Sequence, residues 1–201
     1  MKSLFTRVIG FCLFALSIQT GAVTLSLEPA SSTAGIGDSL SLELVISGLG
    51  DYSGDSLGDF DLDITFDTSA LTFEGYSLSA SLGETNLFEA LDYSLGEYAA
   101  GTIGLTEVSL LTPWELDAIQ PADFTLATLD FTVDLLAEGA TTLISIDAVH
   151  ALGDGYGNWL SLDGTSNAMI TGVPEPAGLA LMSMGLVGLG LFGRRLPRVK
   201  S

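Results

Sequence analysis

Four aspartates are spaced by two and four residues in the stretch Asp59-Phe60-Asp61-Leu62-Asp63-Ile64-Thr65-Phe66-Asp67. The alternation sends the aspartates and Thr65 to one face and Phe60, Leu62, Ile64 and Phe66 to the other. Only a strand separates faces this way, because helix faces repeat every 3.6 residues. A row of carboxylates is chemistry for a hard cation: Ca²⁺ takes several oxygen ligands, and like charges held close favour neutralisation. Side chains two apart on a strand lie about 7 Å apart, so one ion bridges two of them and a full site needs loop oxygens from Asp51 or Asp55. Asp59, Asp61 and Asp63 are therefore candidate Ca²⁺ ligands, set against the plainer reading of an acidic strand face in solvent. No other cofactor is indicated.

The remaining chemistry-bearing residues are sparse. Asp154-Gly155-Tyr156-Gly157-Asn158 places Tyr156 where a calcium loop wants a ligand and has no closing Glu, so it reads as a glycine turn. His150 is the single histidine, and a zinc site there would need carboxylates alone. No nucleophile–base pair is indicated, and among this many acids a well-spaced carboxylate pair carries no information. The reading is a non-enzyme. Tyr156 and Trp159 are candidates for stacking on sugar rings, whereas Trp114 is expected in the core.

The elements that must position these residues read as strands. Val23–Glu28, Ser39–Ser47 and Asp59–Asp67 alternate with period two, and Leu71–Leu78 is another strand after a tight turn at Asp67-Thr68-Ser69-Ala70. One or two short strands are expected around Asn86–Leu95, then strands at Thr102–Leu110, Phe124–Leu135, Thr141–His150 and Trp159–Ile170, the last interrupted near Gly164. Ala30–Asp38 and Gly48–Gly58 read as turn and loop. A change of phase near Thr128 predicts a bulge, and Leu143 is the expected core residue of its strand. Thr112-Pro113-Trp114-Glu115 has the form of a capping box with proline in the first turn, so one short helix follows and stops at Pro121. Eight or nine strands at roughly ten-residue spacing predict an all-β, antiparallel jelly-roll sandwich.

The charge map divides the chain. All six Lys and Arg are terminal: Lys2, Arg7, Arg194, Arg195, Arg198 and Lys200. Between Val23 and Val173 there is none, while every one of the 25 acids except Glu175 lies there, giving 24 acids. Nucleic-acid binding is excluded, since phosphate contacts need cations, and anionic polymers are repelled. Cations or neutral glycans fit. High net charge also serves solubility.

Both ends read as targeting segments. Lys2 and Arg7 precede an apolar stretch, Val8–Ile18, and Thr20-Gly21-Ala22 offers small residues, so residues 1–22 form a signal peptide cut by signal peptidase after Ala22. Cys12 is the only cysteine; Phe11 before it argues against lipidation. Its removal leaves no disulfide. At the other end, residues 177–193 carry no charge. Seventeen helical residues reach roughly 26 Å, just short of a bilayer core of about 30 Å. A buried core helix competes at this length, but the terminal position and the basic residues behind it favour a membrane helix with residues 194–201 cytoplasmic.

Pro174-Glu175-Pro176, this apolar run and the Arg194-Arg195 pair stand in the order found in PEP-CTERM sorting signals, which residues 173–201 closely resemble. That resemblance implies recognition by exosortase, a membrane-embedded cysteine protease-transpeptidase, with Pro174, Glu175 and Pro176 as substrate residues. It implies transient anchoring before processing, and a destination at the cell surface or in an extracellular matrix. Residues 23–172 resemble cohesin-like domains, through Val23–Leu27, Ala34–Ile46, Phe60–Asp67, Thr125–Phe131 and Thr142–Val149. That second resemblance implies a β-sandwich related to carbohydrate-binding modules, with an extracellular polysaccharide as an expected partner. The helix at Trp114–Ile119 departs from the cellulosomal pattern and argues against dockerin binding. The function expected is structural or adhesive; the alternative is a carbohydrate-binding module.

Overall fold

The computed structural model describes residues 22–174 and 186–187. Most of the signal peptide, the membrane run and Arg194–Arg195 therefore lie outside the described residues. Among the described residues, no helix is long and apolar enough to cross a membrane.

Period-two patterning becomes two packed sheets. In chain order the strands are β1 (Val23–Glu28), β2 (Ser31–Ala34), β3 (Ser39–Ser47), β4 (Leu57–Thr65), β5 (Leu71–Leu78), β6 (Ala90–Asp92) and β7 (Gly96–Ala99). They continue with β8 (Thr102–Ser109), β9 (Asp123–Val133), β10 (Thr141–Asp154), β11 (Leu162–Ser166) and β12 (Ala168–Gly172). An α-helix, α1 (Pro113–Ile119), sits between β8 and β9. One sheet has the order β11-β1-β3-β9-β5, the other β2-β12-β10-β4-β8-β6, with β7 also on β8.

The sandwich is richer than the expected eight or nine strands, and it is not wholly antiparallel. β2 falls where a turn was expected: its polar Ser31-Ser32-Thr33 run has no hydrophobic period, and it is fixed by parallel pairing with β12. The expected strand Trp159–Ile170 is two strands, broken at Asn167, one in each sheet, and β11 runs parallel to β1.

Each inner face is the apolar phase of its strand. Phe60, Leu62 and Ile64 from β4 are buried against Leu25, Leu44 and Ile46 of the opposite sheet's strands. Phe131 is flanked by Phe66, edge-on with centroids 5.3 Å apart, and by Phe73 at 5.5 Å. Burying side chains of this size contributes about 2 kcal/mol each.

One expected placement is corrected. Leu143 is about half exposed, because Ile144 and Ile146 set the inward phase of β10 and leave Leu143 opposite Met169 on the outer face. The bulge expected near Thr128 is present in β9 at Leu126, where the register slips opposite Leu44 and Val45 and both Leu126 and Ala127 turn inward.

The end where β12 finishes, and the chain leaves the sandwich at Val173, is the exit end. Val173 donates its N–H to the Ala34 carbonyl there. The turns around Ile36, Asp67, Gly101 and Ala137 share that end. α1 and the loops after β3, β5 and β10 form the opposite, distal end, a strand's length away, roughly 30 Å.

Candidate functional site

The aspartate row lies on the outer face of β4, between β8 and β10, as alternation requires. Asp61 accepts a hydrogen bond from the Thr106 hydroxyl at 2.9 Å. Asp63 is met from both sides, by the Tyr98 hydroxyl at 3.0 Å and by His150 Nε2 at 3.0 Å. Two local irregularities make this meeting possible. Gly104 lies opposite Asp63 and has no side chain, so the Tyr98 ring crosses it; a Cβ there would stand 3.2 Å from the ring. His150 falls at a register slip of β10, a bulge of the kind that re-aims a side chain. The hydrogen bond to Asp63 raises the pKa of His150 and that of the Tyr98 phenol above their ordinary values.

Asp59 is separate from this network. Its carboxylate lies across Gly153, where a Cβ would be 2.2 Å from Oδ1. Burial, and then the nearby Asp154, raise its pKa. Burial also pushes Asp154 upward, but hydrogen bonds from Asn158 and from the Tyr156 and Gly157 backbone outweigh it and hold that carboxyl below its ordinary range. The three candidate calcium ligands thus share one face and are engaged with different partners. Among the described residues, no group of three or more His, Cys, Asp or Glu is gathered to hold an ion.

Above the aspartate row stands the distal end, assembled around α1. Thr112 and Glu115 form the expected capping box, with the Glu115 carboxylate accepting the Thr112 N–H at 2.8 Å. Only Leu116 of the helix is buried. Trp114 is 69% exposed, contrary to the expected core placement, because a two-turn helix presents one narrow face inward. The anchor is Gln120, fully buried just after the helix. Its Oε1 accepts the Leu57 N–H at 2.7 Å, and its Nε2 donates to the carbonyls of Leu57 at 2.8 Å and Ser81 at 2.9 Å.

Three loops tie to this hub. Tyr52 donates its N–H to the Gln120 carbonyl; Leu110 donates to Glu89; Gly155 donates to Ser56 and packs on Pro113 and Leu116. The turn expected at Gly153–Gly157 is present, with Asp154 accepting the backbone N–H groups of Tyr156 and Asn158. Tyr156 is 73% exposed and Trp159 62%, as expected of surface aromatics. Trp159 forms an isolated bridge to Gly153, in register with Asp59, which joins the distal end to the aspartate row. Ala22 is exposed just before β1, and Pro174 is exposed just after the last strand.

Two features were not visible in the sequence, and a third is a motif that stands in it. Glu107 points into the core, fully buried, with neither carboxylate oxygen hydrogen-bonded. It lies opposite Phe60 of β4 and Asp92 of β6, and burial, assisted by Asp92, raises its pKa to about 7. Tyr52, Asp55 and Phe88 carry left-handed backbone, with φ of 52°, 75° and 59°, and all three are in distal loops. Finally, Gly54-Asp55-Ser56-Leu57-Gly58 has the Gly-x-Ser-x-Gly spacing of a nucleophile elbow. An elbow needs a strand-to-helix turn that exposes the serine. Here Ser56 is buried on a loop entering a strand, and His150 pairs far along β10, near Asp61 and Leu62.

The fold is shared with solved cohesins. A cohesin from Clostridium acetobutylicum superposes with a TM-score of 0.60 at 21% identity, over 80% of this chain and 96% of its own. A type I cohesin of a Clostridium thermocellum cohesin–dockerin complex gives 0.59 at 12%, over 76% and 99%. A type II cohesin domain from the Acetivibrio cellulolyticus cellulosome gives 0.57 at 16%, over 75% and 95%. The chain thus carries a cohesin-like β-sandwich. No family model matches the sequence, and no curated protein does.

Proposed function

We propose that this chain is an exported, non-catalytic β-sandwich that serves the cell envelope or biofilm matrix as a structural or adhesive module. Signal peptidase frees it after Ala22, and exosortase sorts it through Pro174-Glu175-Pro176, the residue 177–193 run and Arg194-Arg195. The observation that carries this reading is where the fold closes. The last strand of the described domain, β12, ends at Gly172, two residues before Pro174. Processing at the motif then removes no strand and no core residue of the sandwich. Confinement of all Lys and Arg to the two ends supports the same partition. The solved neighbours include a cohesin held in a complex with a dockerin, which favours a holding role over catalysis on this fold.

Fractionating cells with and without exosortase tests the reading. The enzyme's loss is expected to leave an unprocessed chain in the inner membrane and none outside. Unchanged processing and distribution without exosortase would falsify it.

A second reading, a module that binds neutral polysaccharide, is favoured by the exposure of Tyr156 and Trp159. Aromatic faces of this kind stack on sugar rings. Titration with neutral glycans should quench Trp emission if it holds, and silence across a broad panel counts against it.

A further inference from the structure

The distal end exposes more than two aromatic rings. Tyr52, Phe88, Leu110, Trp114, Tyr156 and Trp159 are each more than half exposed there, on loops joined through α1 by the backbone bonds described above. Two of the three non-glycine residues in left-handed backbone, Tyr52 and Phe88, are among these exposed side chains. Such conformations cost about 1–3 kcal/mol each and persist where the surroundings hold them. Large apolar side chains exposed together at one end of a domain point to an interaction site, whereas single scattered ones need no explanation.

Beside this patch lies a notch of about 180 Å³ between the Gly155 turn and α1. Val108, Leu111 and Leu116 line it together with Asp59 and Asp154. Apolar walls ending in two acids suit a side chain with a hydrocarbon stem and a cationic head, which is the form of Lys and Arg. Burial, and then repulsion from Asp154, raise the pKa of Asp59, and a cation in the notch would offset that repulsion.

The remaining occupants fit less well. The chain leaves toward its apolar tail from the opposite end, so a tail seated in lipid would keep the patch away from the bilayer. A second copy would bring another uncompensated set of acids against this one, since residues 23–173 contain no Lys or Arg. A sugar uses aromatic faces and hydroxyl partners, and leaves Leu110 and Phe88 on the neighbouring loops without a role.

We infer that the distal end is a docking surface for a protein partner that presents an apolar surface and a Lys or Arg anchor, received between Asp59, Asp154, Leu111 and Leu116. The inference rests on the reading of the chain as an adhesive module and replaces the saccharide by a protein as the ligand of Tyr156 and Trp159. It does not depend on the route of sorting.

Both tryptophans of the chain, Trp114 and Trp159, are in this patch, so their emission reports its occupancy. The test uses the full chain in zwitterionic lipid nanodiscs and a tryptophan-free Leu/Lys peptide with one apolar and one basic face. A saturable blue shift is expected, weakened by added salt. Tyr156→Ser with Leu110→Ser, and separately Asp59→Asn, should each weaken binding by about tenfold or more, the loss that follows from about 1.4 kcal/mol at an interface anchor. Leu135→Ser, at the exit end, should leave it unchanged. Because the distal residues are exposed and Asp59→Asn is nearly isosteric, at least one variant keeps its fold, checked by thermal melt. The proposal is overturned by no saturable shift, by polylysine matching the Leu/Lys peptide, by distal variants that bind like the parent, or by neutral oligosaccharides shifting the emission where the peptide does not. Unaltered binding in a chain shown not to be an exosortase substrate would sink the sorting route and leave this surface standing.

Discussion

At the exit end, turns are tight; glycine sits where backbones touch there, as Gly50 and Gly58 do in the distal loops. A Cβ on Gly172 would stand 2.2 Å from the Ala137 carbonyl, and one on Gly101 would be 2.5 Å from that of Phe66. At the distal end the connections are long, two of them hold helical turns, and one buried amide, Gln120, binds two of them to β4. The exit end is closed by shape and carries the tail. The distal end is closed by polar bonds beneath an apolar, acid-rimmed surface. Loops displayed on a rigid scaffold are the usual seat of recognition, and here one end alone has that construction.

The sharpest way to break the comparison is Gln120→Leu. It removes the partner of two buried backbone groups of Leu57 and of the half-buried Ser81 carbonyl and should lower stability by about 4 kcal/mol. Hydrogen exchange should accelerate at Leu57 and across the distal loops while the exit end keeps its protection. Equal loss at both ends would show that the two are not separately held.

Next in size is the interior acid. Glu107 holds its proton to about pH 7 in the fold, whereas an unfolded glutamate ionises near 4.3. The native state therefore binds more protons between these values, and stability falls as pH rises through that window. Glu107→Gln should match the parent near pH 4.5 and exceed it by about 3 kcal/mol at pH 8.5, measured by denaturant midpoints. A gain independent of pH would mean that the carboxyl ionises in the fold as it does in the unfolded chain. Glu107 shares β8 with Ser109, whose hydroxyl bonds the Leu82 carbonyl of the distal loop, so the loss should also appear first on that side.

Gly172→Ala probes the exit end and should cost about 2 kcal/mol by overpacking, with Leu/Lys peptide affinity unchanged. A weakened affinity would couple the ends. The smallest effect is expected from EDTA. Asp61 and Asp63 already bond Thr106, Tyr98 and His150, so the melting midpoint should not move; a drop would establish a structural ion, since a ligand of the native state alone must stabilise it.

Alternating strands were legible in place, although β4 runs Leu57–Thr65 where Asp59–Asp67 was expected, because its pairing with β10 begins at Leu57 and ends at Thr65. β1, β3 and β5 begin and end where expected, and the capping box placed α1. β2 was not legible because four small polar residues have no period, and only pairing with β12 makes them a strand. Leu143 was misplaced because Thr142 takes the inward slot, a choice set by Ile170 across the sheet. Trp114 was misread by size. The exposure of Tyr156 and Trp159 followed from their neighbours, but the distal surface could not, since it is assembled from loops more than a hundred residues apart. Glu107 ran against every compositional expectation for an acid and left no local trace.

The closure of the fold at β12 also fixes how the module would bear force. A load taken up by the distal loops and resisted through Val173 runs along the strand axes. The hydrogen bonds joining β12 to β10 lie across that direction, so they are sheared together rather than peeled one after another. A chain held at Val173 would thus resist pulling from the far end of the sandwich.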